Sequence, residues 1–246
     1  MIVIIIMFFC SVLLAWVWGG YMLLLWLLTR KQDPEPPPVR PAGVEAFADL
    51  TLSIIIAAHN EEAEIDDRLA NLAAIDTPDS CEILLGCDGC TDQTAAIART
   101  WEAKLPGLKV FDFPERRGKP AVLKDLVAQS HGALLVFSDA NTCFATDAIP
   151  RLVQPLADPA IGGTCGRLIF LDTSGRTREN AYWKLETWMK TRESRLDSCL
   201  GANGAIYAIR RPLFWNMLPS HTIVDDFVIG MKVREHRRRF IYVPGA

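Results

Sequence analysis

The chain has 246 residues, enough for one large domain or two small ones, and half of them are hydrophobic, so a sizeable core can be buried. Its formal net charge of −3 argues against a nucleic-acid-binding protein, which usually presents a strongly basic face. The seven cysteines are scattered and odd in number, which fits a reducing compartment better than a disulfide framework.

The chain begins with a long apolar segment. No charged residue occurs from Ile2 to Leu28, and a helix of that length can cross the hydrocarbon core of a bilayer. A signal peptide is the alternative, but it needs basic residues before a shorter apolar run, whereas Arg30 and Lys31 follow the run. We therefore expect a transmembrane helix over residues 1–29. The positive-inside rule then places the rest of this single-pass chain in the cytoplasm.

The next segments predict a linker and one α/β domain. Residues 30–49 are rich in proline, which is typical of a semi-rigid spacer. Over residues 50–246, short apolar runs alternate with helical patterns, which predicts βαβ units and a mostly parallel sheet. The predicted strands are Leu52–Ala57, Glu82–Gly86, Leu108–Phe113, Ala133–Phe137 and Ile206–Ile209. The predicted helices are Glu61–Ala74, Gln93–Ala103, Ala121–Gln129 and Ala148–Ala157.

Polar side chains follow three of these strands. Glu61 comes after the first strand, Asp88 after the second, and Asp139 and Asn141 after the fourth. Ligands of open α/β sheets bind at the carboxyl ends of the strands, so these side chains could surround a nucleotide. A carboxylate and an amide oxygen two residues apart can share one hard cation, which can then bridge phosphates. Taken singly, each segment could equally be an ordinary turn or helix cap.

Three more segments carry groups that could bind a ligand or take part in catalysis. Lys119 follows a glycine at a predicted helix start, where it could meet a diphosphate or simply be solvated. The small residues from Gly201 to Gly204 would let a ligand approach the backbone, or form a tight turn. The adjacent acids Asp225 and Asp226 precede an apolar helix, which they could cap, or they could remove a proton from an attacking hydroxyl.

In this order, the segments resemble the membrane-bound family 2 glycosyltransferases of the GT-A fold. That group includes cellulose, chitin, hyaluronan and poly-N-acetylglucosamine synthases. The resemblance covers roughly residues 50–246 and implies a Rossmann-like GT-A domain, with a mostly parallel sheet flanked by helices. Its four main segments are Ser53–Glu62, Asp88–Asp92, Ser138–Thr142 and Asp225–Asp226. The two weaker motifs between them are Gly118–Lys119 and Gly201–Gly204.

The resemblance also implies an activity. A metal-dependent hexosyl- or N-acetylhexosaminyltransferase would move a sugar from a nucleotide-sugar, expected to be UDP-linked, to a saccharide or lipid-linked acceptor at the cytoplasmic membrane face, with inversion. The donor would contact Glu61, Asp88, Lys119 and Asp139. The metal, Mg²⁺ or Mn²⁺, would be held by Asp139 and Asn141. The acceptor site would be lined by Gly201, Ala202, Asn203 and Gly204. The base would be Asp226, with Asp225 beside it.

The sequence departs from the family pattern at two points. Asn141 stands where the family's metal-binding motif has a second acid, so a cation would have one charged ligand fewer. The family's Gln-x-x-Arg-Trp motif does not occur, so we expect the domain to be incomplete at its C-terminal side. One alternative is therefore a catalytically incomplete nucleotide-binding fragment or membrane scaffold. Another is a nucleotidyltransferase, which would need a glycine-rich basic signature that residues 57–62 do not supply.

Overall fold

The computed structural model describes residues 1–31, 51–78, 80–170, 177, 181–214, 222 and 224–246. The predicted linker at residues 30–49 lies outside the described residues, except for its first two positions.

One seven-stranded sheet forms the centre of the domain, in the spatial order β3-β2-β1-β4-β6-β5-β7. Strands β3, β2, β1 and β4 run parallel to one another, whereas β6 is antiparallel to both β4 and β5. The last strand, β7, is parallel to β5. The prediction of an α/β domain with a mostly parallel sheet is confirmed. The strands are β1 (Leu52–Ala58), β2 (Cys81–Asp88), β3 (Leu108–Phe113), β4 (Leu134–Asp139), β5 (Ile161–Cys165), β6 (Ile206–Arg210) and β7 (Arg239–Tyr242).

Helices cover both faces of the sheet, as expected when central strands are apolar on both sides. One face packs against α3, α4 and α6. The opposite face packs against α5 and α8, and there Phe137 stacks on Tyr207 with ring centroids 4.8 Å apart. The helices of the domain are α3 (Ile65–Ala74), α4 (Thr94–Trp101), α5 (Lys119–Gln129), α6 (Ala148–Val153), α7 (Ala181–Leu196) and α8 (Asp225–Glu235).

Two local features bring chemical groups to one edge of the sheet. Gly86 lets α5 lie close to β2, because a Cβ at this position would stand 2.5 Å from Val122 Cγ1. Helix α5 therefore begins beside the carboxyl ends of the strands. The antiparallel pairing of β6 with β4 sets Ile206 opposite Ser138, so the residues before β6 reach the edge that the residues after β4 also reach.

Three helical segments follow one another at the N-terminus: α1 (Ile2–Ala15), a π-helical turn (Trp16–Gly20) and α2 (Tyr21–Thr29). Helix α2 packs against α7. Within the part of the chain that the structure describes, no helix is both long enough and apolar enough to cross a membrane. The predicted transmembrane helix over residues 1–29 is not confirmed, because the π-helical turn divides that range into α-helices of 14 and 9 residues.

The structure differs most from the sequence prediction at α3, β5 and β7. Helix α3 begins at Ile65 instead of Glu61, because Asn60 adopts a left-handed backbone (φ 55°) and a turn precedes the helix. Strands β5 and β7 are not predicted by the sequence pattern. In β5, Gly163 leaves room for the neighbouring strand, since a Cβ there would stand 2.5 Å from Phe240 Cδ2. A pair of glycines is a weak signal for a strand, so the sequence pattern does not predict β5 or its close packing.

Candidate functional site

A cleft of about 240 Å³ opens where the carboxyl ends of β1, β2 and β4 meet. Five of the predicted residues line it: Glu61, Asp88, Lys119, Asp139 and Asn141. A second cavity, of about 590 Å³, adjoins the cleft and shares Asp139 and Asn141 with it. The structure thus brings together residues that lie up to 80 positions apart in the chain, as the sheet topology predicts.

Asp88 is buried at the end of β2, and both oxygens of its carboxylate accept backbone hydrogen bonds. Oδ1 accepts from Arg117 N–H at 2.7 Å, and Oδ2 accepts from Gly118 N–H at 2.8 Å. Gly118 itself has a left-handed backbone (φ 86°), which glycine adopts without strain. Asp88 therefore fixes the turn from which α5 starts. A direct contact of Asp88 with a nucleotide base stays a prediction.

Lys119 is the first residue of α5 and lies among acidic side chains. Its Nζ stands 2.7 Å from Asp139 Oδ1 and 3.8 Å from Asp225 Oδ2. Burial works to lower the pKa of Lys119, but the carboxylates of Asp225, Asp139 and Asp226 outweigh it and the pKa is raised. Lys119 is therefore a lasting positive charge at the edge of the cleft, half-buried and close to the strand ends.

The two adjacent acids at the start of α8 occupy different surroundings. Asp225 is buried, and no donor among the described residues hydrogen-bonds to its Oδ2. Burial raises the pKa of Asp225, Lys119 lowers it, and the neighbouring carboxylates of Asp226 and Asp139 raise it further, so the net direction is upward. Asp226 is half-buried, and its Oδ1 accepts a hydrogen bond from Phe227 N–H at 2.8 Å.

The segment from Gly201 to Gly204, here called the glycine loop, lies against these acids. A Cβ on Gly204 would stand 3.2 Å from Asp226 Oδ2 and 4.0 Å from Asp139 Oδ2. Gly201 has a left-handed backbone (φ 79°) and touches α8, where Ala202 N–H donates to the carbonyl of Asp226 at 3.3 Å. The loop therefore borders both carboxylates, and its small residues keep the space between them open.

The side chain of Asn203, the third residue of the predicted acceptor set, turns to the neighbouring backbone. Its Nδ2 donates to the carbonyl of Gly166 at 3.3 Å. The side chain therefore ties the loop to the chain that follows β5. A contact of Asn203 with an acceptor stays a prediction.

The oxygen ligands at the end of β4 suit a hard cation. Asp139 and Asn141 offer one carboxylate and one amide oxygen, the kinds of ligand that Mg²⁺ and Mn²⁺ prefer. The described residues contain no group of three or more His, Cys, Asp or Glu that could hold a metal ion. These two side chains therefore fit a cation that takes its other ligands from water or from a bound phosphate, and they do not form a closed protein cage.

Sequence reasoning left two residues of the cleft without a role. His59 and Arg116 both line it. His59 Nδ1 lies 2.6 Å from the carbonyl oxygen of Asp88, to which it must donate because a carbonyl can only accept. Its position directly after β1 was a usable signal, since it follows the strand as Glu61 does.

The carboxyl of Glu61 has a raised pKa. Burial is the main cause, followed by the charges of nearby acids, including Asp139.

Comparison with known proteins identifies a family and several relatives. Residues 53–218 match the family described as Glycosyl transferase family 2. The chain is 30% identical over 161 residues to a β-monoglucosyldiacylglycerol synthase of Synechocystis sp., a match that covers 60% of this chain and 33% of that protein. It is 26% identical over 163 residues to an N-acetylglucosaminyltransferase of Rhizobium meliloti, covering 65% of this chain and 38% of the relative. The chain therefore spans between a third and two fifths of the length of these relatives.

Solved structures share the fold. A mannosyltransferase from Pyrobaculum calidifontis in complex with GDP-Man and Mn²⁺ superposes with a TM-score of 0.77 at 23% identity, covering 95% of this chain and 65% of that one. TarS of S. aureus in complex with UDP-GlcNAc superposes with a TM-score of 0.62 at 18% identity, covering 80% of this chain and 57% of the other. At these identities, the likeness establishes a GT-A-like architecture.

The raised pKa of Asp225 predicts how stability depends on pH. The folded chain binds this proton more readily than the unfolded chain, so the free energy of unfolding falls as the pH rises from the ordinary pKa of aspartate to the raised one. Asp225→Asn cannot ionise. We expect its urea midpoint to exceed that of the wild type at about pH 7 and to match it at about pH 3, where both side chains are neutral.

Asp226→Asn is the matched control for this measurement, because it changes the adjacent, half-buried acid. Its midpoint should follow that of the wild type more closely at both pH values. A midpoint of Asp225→Asn below the wild type at neutral pH would contradict the prediction, because the ion pair with Lys119 would then outweigh the burial of the charge.

Proposed function

Because the chain belongs to glycosyl transferase family 2, we propose that residues 50–246 transfer a sugar from a nucleotide-sugar to a hydroxyl of a saccharide or lipid-linked acceptor. The observation that carries the proposal is the meeting of Lys119, Asp139 and the acids of α8 at one sheet edge, with the glycine loop beside them. A UDP-linked donor is proposed from the family resemblance, and the complex with UDP-GlcNAc among the similar structures supports it, although another similar structure contains GDP-Man.

The donor is proposed to bind with its nucleoside in the cleft and its sugar toward the adjoining larger cavity. Glu61 lies on the side of the base and ribose. Lys119 stands at the N-terminus of α5, where its ammonium and the helix end together favour a diphosphate. As the bond from the sugar to the diphosphate breaks, Lys119 stabilises the negative charge on the leaving group. Asp88 serves this step by holding the turn before α5.

Asp139 and Asn141 would hold the cation, Mg²⁺ or Mn²⁺. When bound, such a cation stabilises the charge of the departing nucleoside diphosphate. The presence of Mn²⁺ with GDP-Man in the mannosyltransferase structure supports a divalent metal here. Lys119 contacts Asp139, so its ammonium is also close enough to stabilise the charge of the departing diphosphate.

Asp226 is proposed as the general base. It borders Gly204, so an acceptor hydroxyl at the glycine loop lies within its reach. The acceptor oxygen attacks the anomeric carbon and its proton passes to Asp226, while the bond to the diphosphate breaks on the opposite side. One such displacement inverts the anomeric carbon. Asp225, buried beside Lys119, helps to keep that ammonium at the edge of the site.

Nucleotide binding can be tested without knowing the acceptor. Calorimetric titration of the full chain with UDP in the presence of Mn²⁺ should show binding, and Asp139→Ala should weaken it by about tenfold or more, since a charged ligand is lost. Asp112→Ala, which removes an exposed carboxylate on edge strand β3, is the control and should bind as the wild type does. A folded wild type that binds no UDP would refute the proposed donor.

The role of Asp226 predicts a separation of binding from turnover. Asp226→Asn keeps the shape of the side chain but cannot take up a proton. We expect transfer of sugar from UDP-sugars to fall by about 100- to 10,000-fold, the usual worth of a general base. The affinity for UDP should stay close to that of the wild type. Transfer at a wild-type rate would exclude Asp226 as the base, and binding without transfer in the wild type would favour the nucleotide-binding alternative.

We further propose that residues 1–29 attach the domain to a membrane. Long apolar side chains, among them Phe9 and Leu13, are exposed along α1. A continuous apolar surface of this extent marks a contact with lipid or with another protein. The packing of α2 against α7 would hold the domain close to the attachment.

Flotation with phosphatidylcholine–phosphatidylglycerol vesicles tests this attachment. The wild type should float with the vesicles, and the double variant Phe9→Glu with Leu13→Glu should float less, because burying two charges in lipid is costly. Met231→Glu on α8 changes an exposed apolar residue of the domain and should leave flotation unchanged. Equal flotation of the double variant and the wild type would contradict an attachment through α1.

A further inference from the structure

Glu193 on α7 connects two distant parts of the chain. Its side chain is buried, and Oε1 accepts a hydrogen bond from the hydroxyl of Tyr21 at 2.5 Å. Oε2 accepts a second bond from the backbone N–H of Leu200 at 2.9 Å. Tyr21 is the first residue of α2, and Leu200 directly precedes the glycine loop. One carboxylate therefore bridges the N-terminal apolar segment and the loop beside the acids of the site.

A second residue of the same helix also holds the loop. Lys190 is buried one turn before Glu193, and its Nζ donates to the carbonyl of Ala202 at 3.3 Å. Glu186 neutralises this ammonium at 3.0 Å. Helix α7 thus fixes the glycine loop at a backbone N–H before it and at a carbonyl within it.

Helix α7 is also connected to α2 by hydrogen bonds. Besides the bond from Tyr21 to Glu193, Arg192 donates a hydrogen bond to the hydroxyl of Thr29 at the end of α2. Thr29 is itself buried. Hydrogen bonds to buried charged groups are stronger than those between neutral groups, and a buried carboxylate requires partners. The contacts therefore form a continuous polar path from α2, through α7, to the glycine loop.

We propose that Glu193 is a positioning residue through which the N-terminal segment sets the place of the glycine loop relative to Asp226 and Asp139. The statement that this loop receives the acceptor rests on the proposed function. The mechanical link itself does not, because it depends only on the contacts of Glu193. Attachment of the N-terminal segment to another body would then act on the acceptor side of the site and leave the donor side unchanged.

Hydrogen–deuterium exchange of the full chain in detergent tests the link without any ligand. Glu193→Leu removes the acceptor of the Leu200 N–H, so exchange in peptides covering residues 198–206 should speed up by about tenfold. Tyr21→Phe should speed it up several-fold, because the carboxylate loses one of its two anchors. Glu193→Gln keeps an acceptor for Leu200 and a polar partner for Tyr21, and should restore near wild-type exchange. Tyr182→Phe removes an exposed hydroxyl on the same helix and is the control.

A kinetic measurement separates positioning from general stability. UDP-glucose and UDP-N-acetylglucosamine serve as donors, and cellobiose, chitobiose and dioleoylglycerol serve as acceptor probes. With any probe that the wild type uses, Tyr21→Phe should raise the acceptor KM several-fold, while the donor KM and kcat change by less than about twofold. Equal changes in the donor and acceptor KM values would overturn the positioning role.

The exchange result decides the link in every case. Unchanged exchange over residues 198–206 in either Tyr21→Phe or Glu193→Leu would overturn the link. A uniform rise in exchange that also includes β1 and β4 would overturn it as well. A wild type that binds no UDP would refute the proposed donor and leave the link unaffected, since the exchange experiment contains no nucleotide. Local acceleration in the two variants, with recovery in Glu193→Gln, is the result that supports the proposal.

Discussion

The site depends on the hydrogen bonds that the buried carboxylate of Asp88 accepts. Its two bonds to the backbone N–H groups of Arg117 and Gly118 determine where α5 starts. That start determines where Lys119 lies, and Lys119 in turn contacts Asp139. A buried carboxylate without such donors would be costly, so the turn and the acid stabilise each other. The position of Lys119 beside Asp139 at this edge therefore depends on Asp88, whose carboxylate oxygens both bond to the backbone.

Around Lys119 the structure balances charges of opposite sign. The carboxylates of Asp139, Asp225 and Asp226 all raise its pKa, and its ammonium works against the upward shift at Asp225. One cation among three acids leaves a local excess of negative charge. A divalent metal ion would reduce that excess, and a diphosphate would find the ammonium already in place. The same balance explains why one acid of the α8 pair is buried although its ionisation is disfavoured.

The sequence predicted most of this arrangement where a residue's role follows from its place on a strand. Strands β1, β2 and β4 were recognisable because their runs are mostly apolar and buried on both faces, and the acids at their ends fall at one edge because parallel strands share their direction. Strand β5 was missed because Gly163 serves a close contact with Phe240, which only the folded chain reveals. Glu193 and its partner Tyr21 lie 172 positions apart, and no local pattern in the sequence predicts such a contact.

The reversed direction of β6 has a consequence for how such a protein can change. Because β6 runs opposite to β4, the glycine loop enters the site before its strand begins, whereas Asp139 stands where its own strand ends. The two sides of the site thus belong to separate stretches of chain, joined by a hydrogen-bonded seam between two strands. Insertions or substitutions in one stretch need not shift the other. If the glycine loop receives the acceptor, as proposed, a change of acceptor needs changes only in the segment between α7 and β6, and the pocket at the ends of β1, β2 and β4 can stay the same.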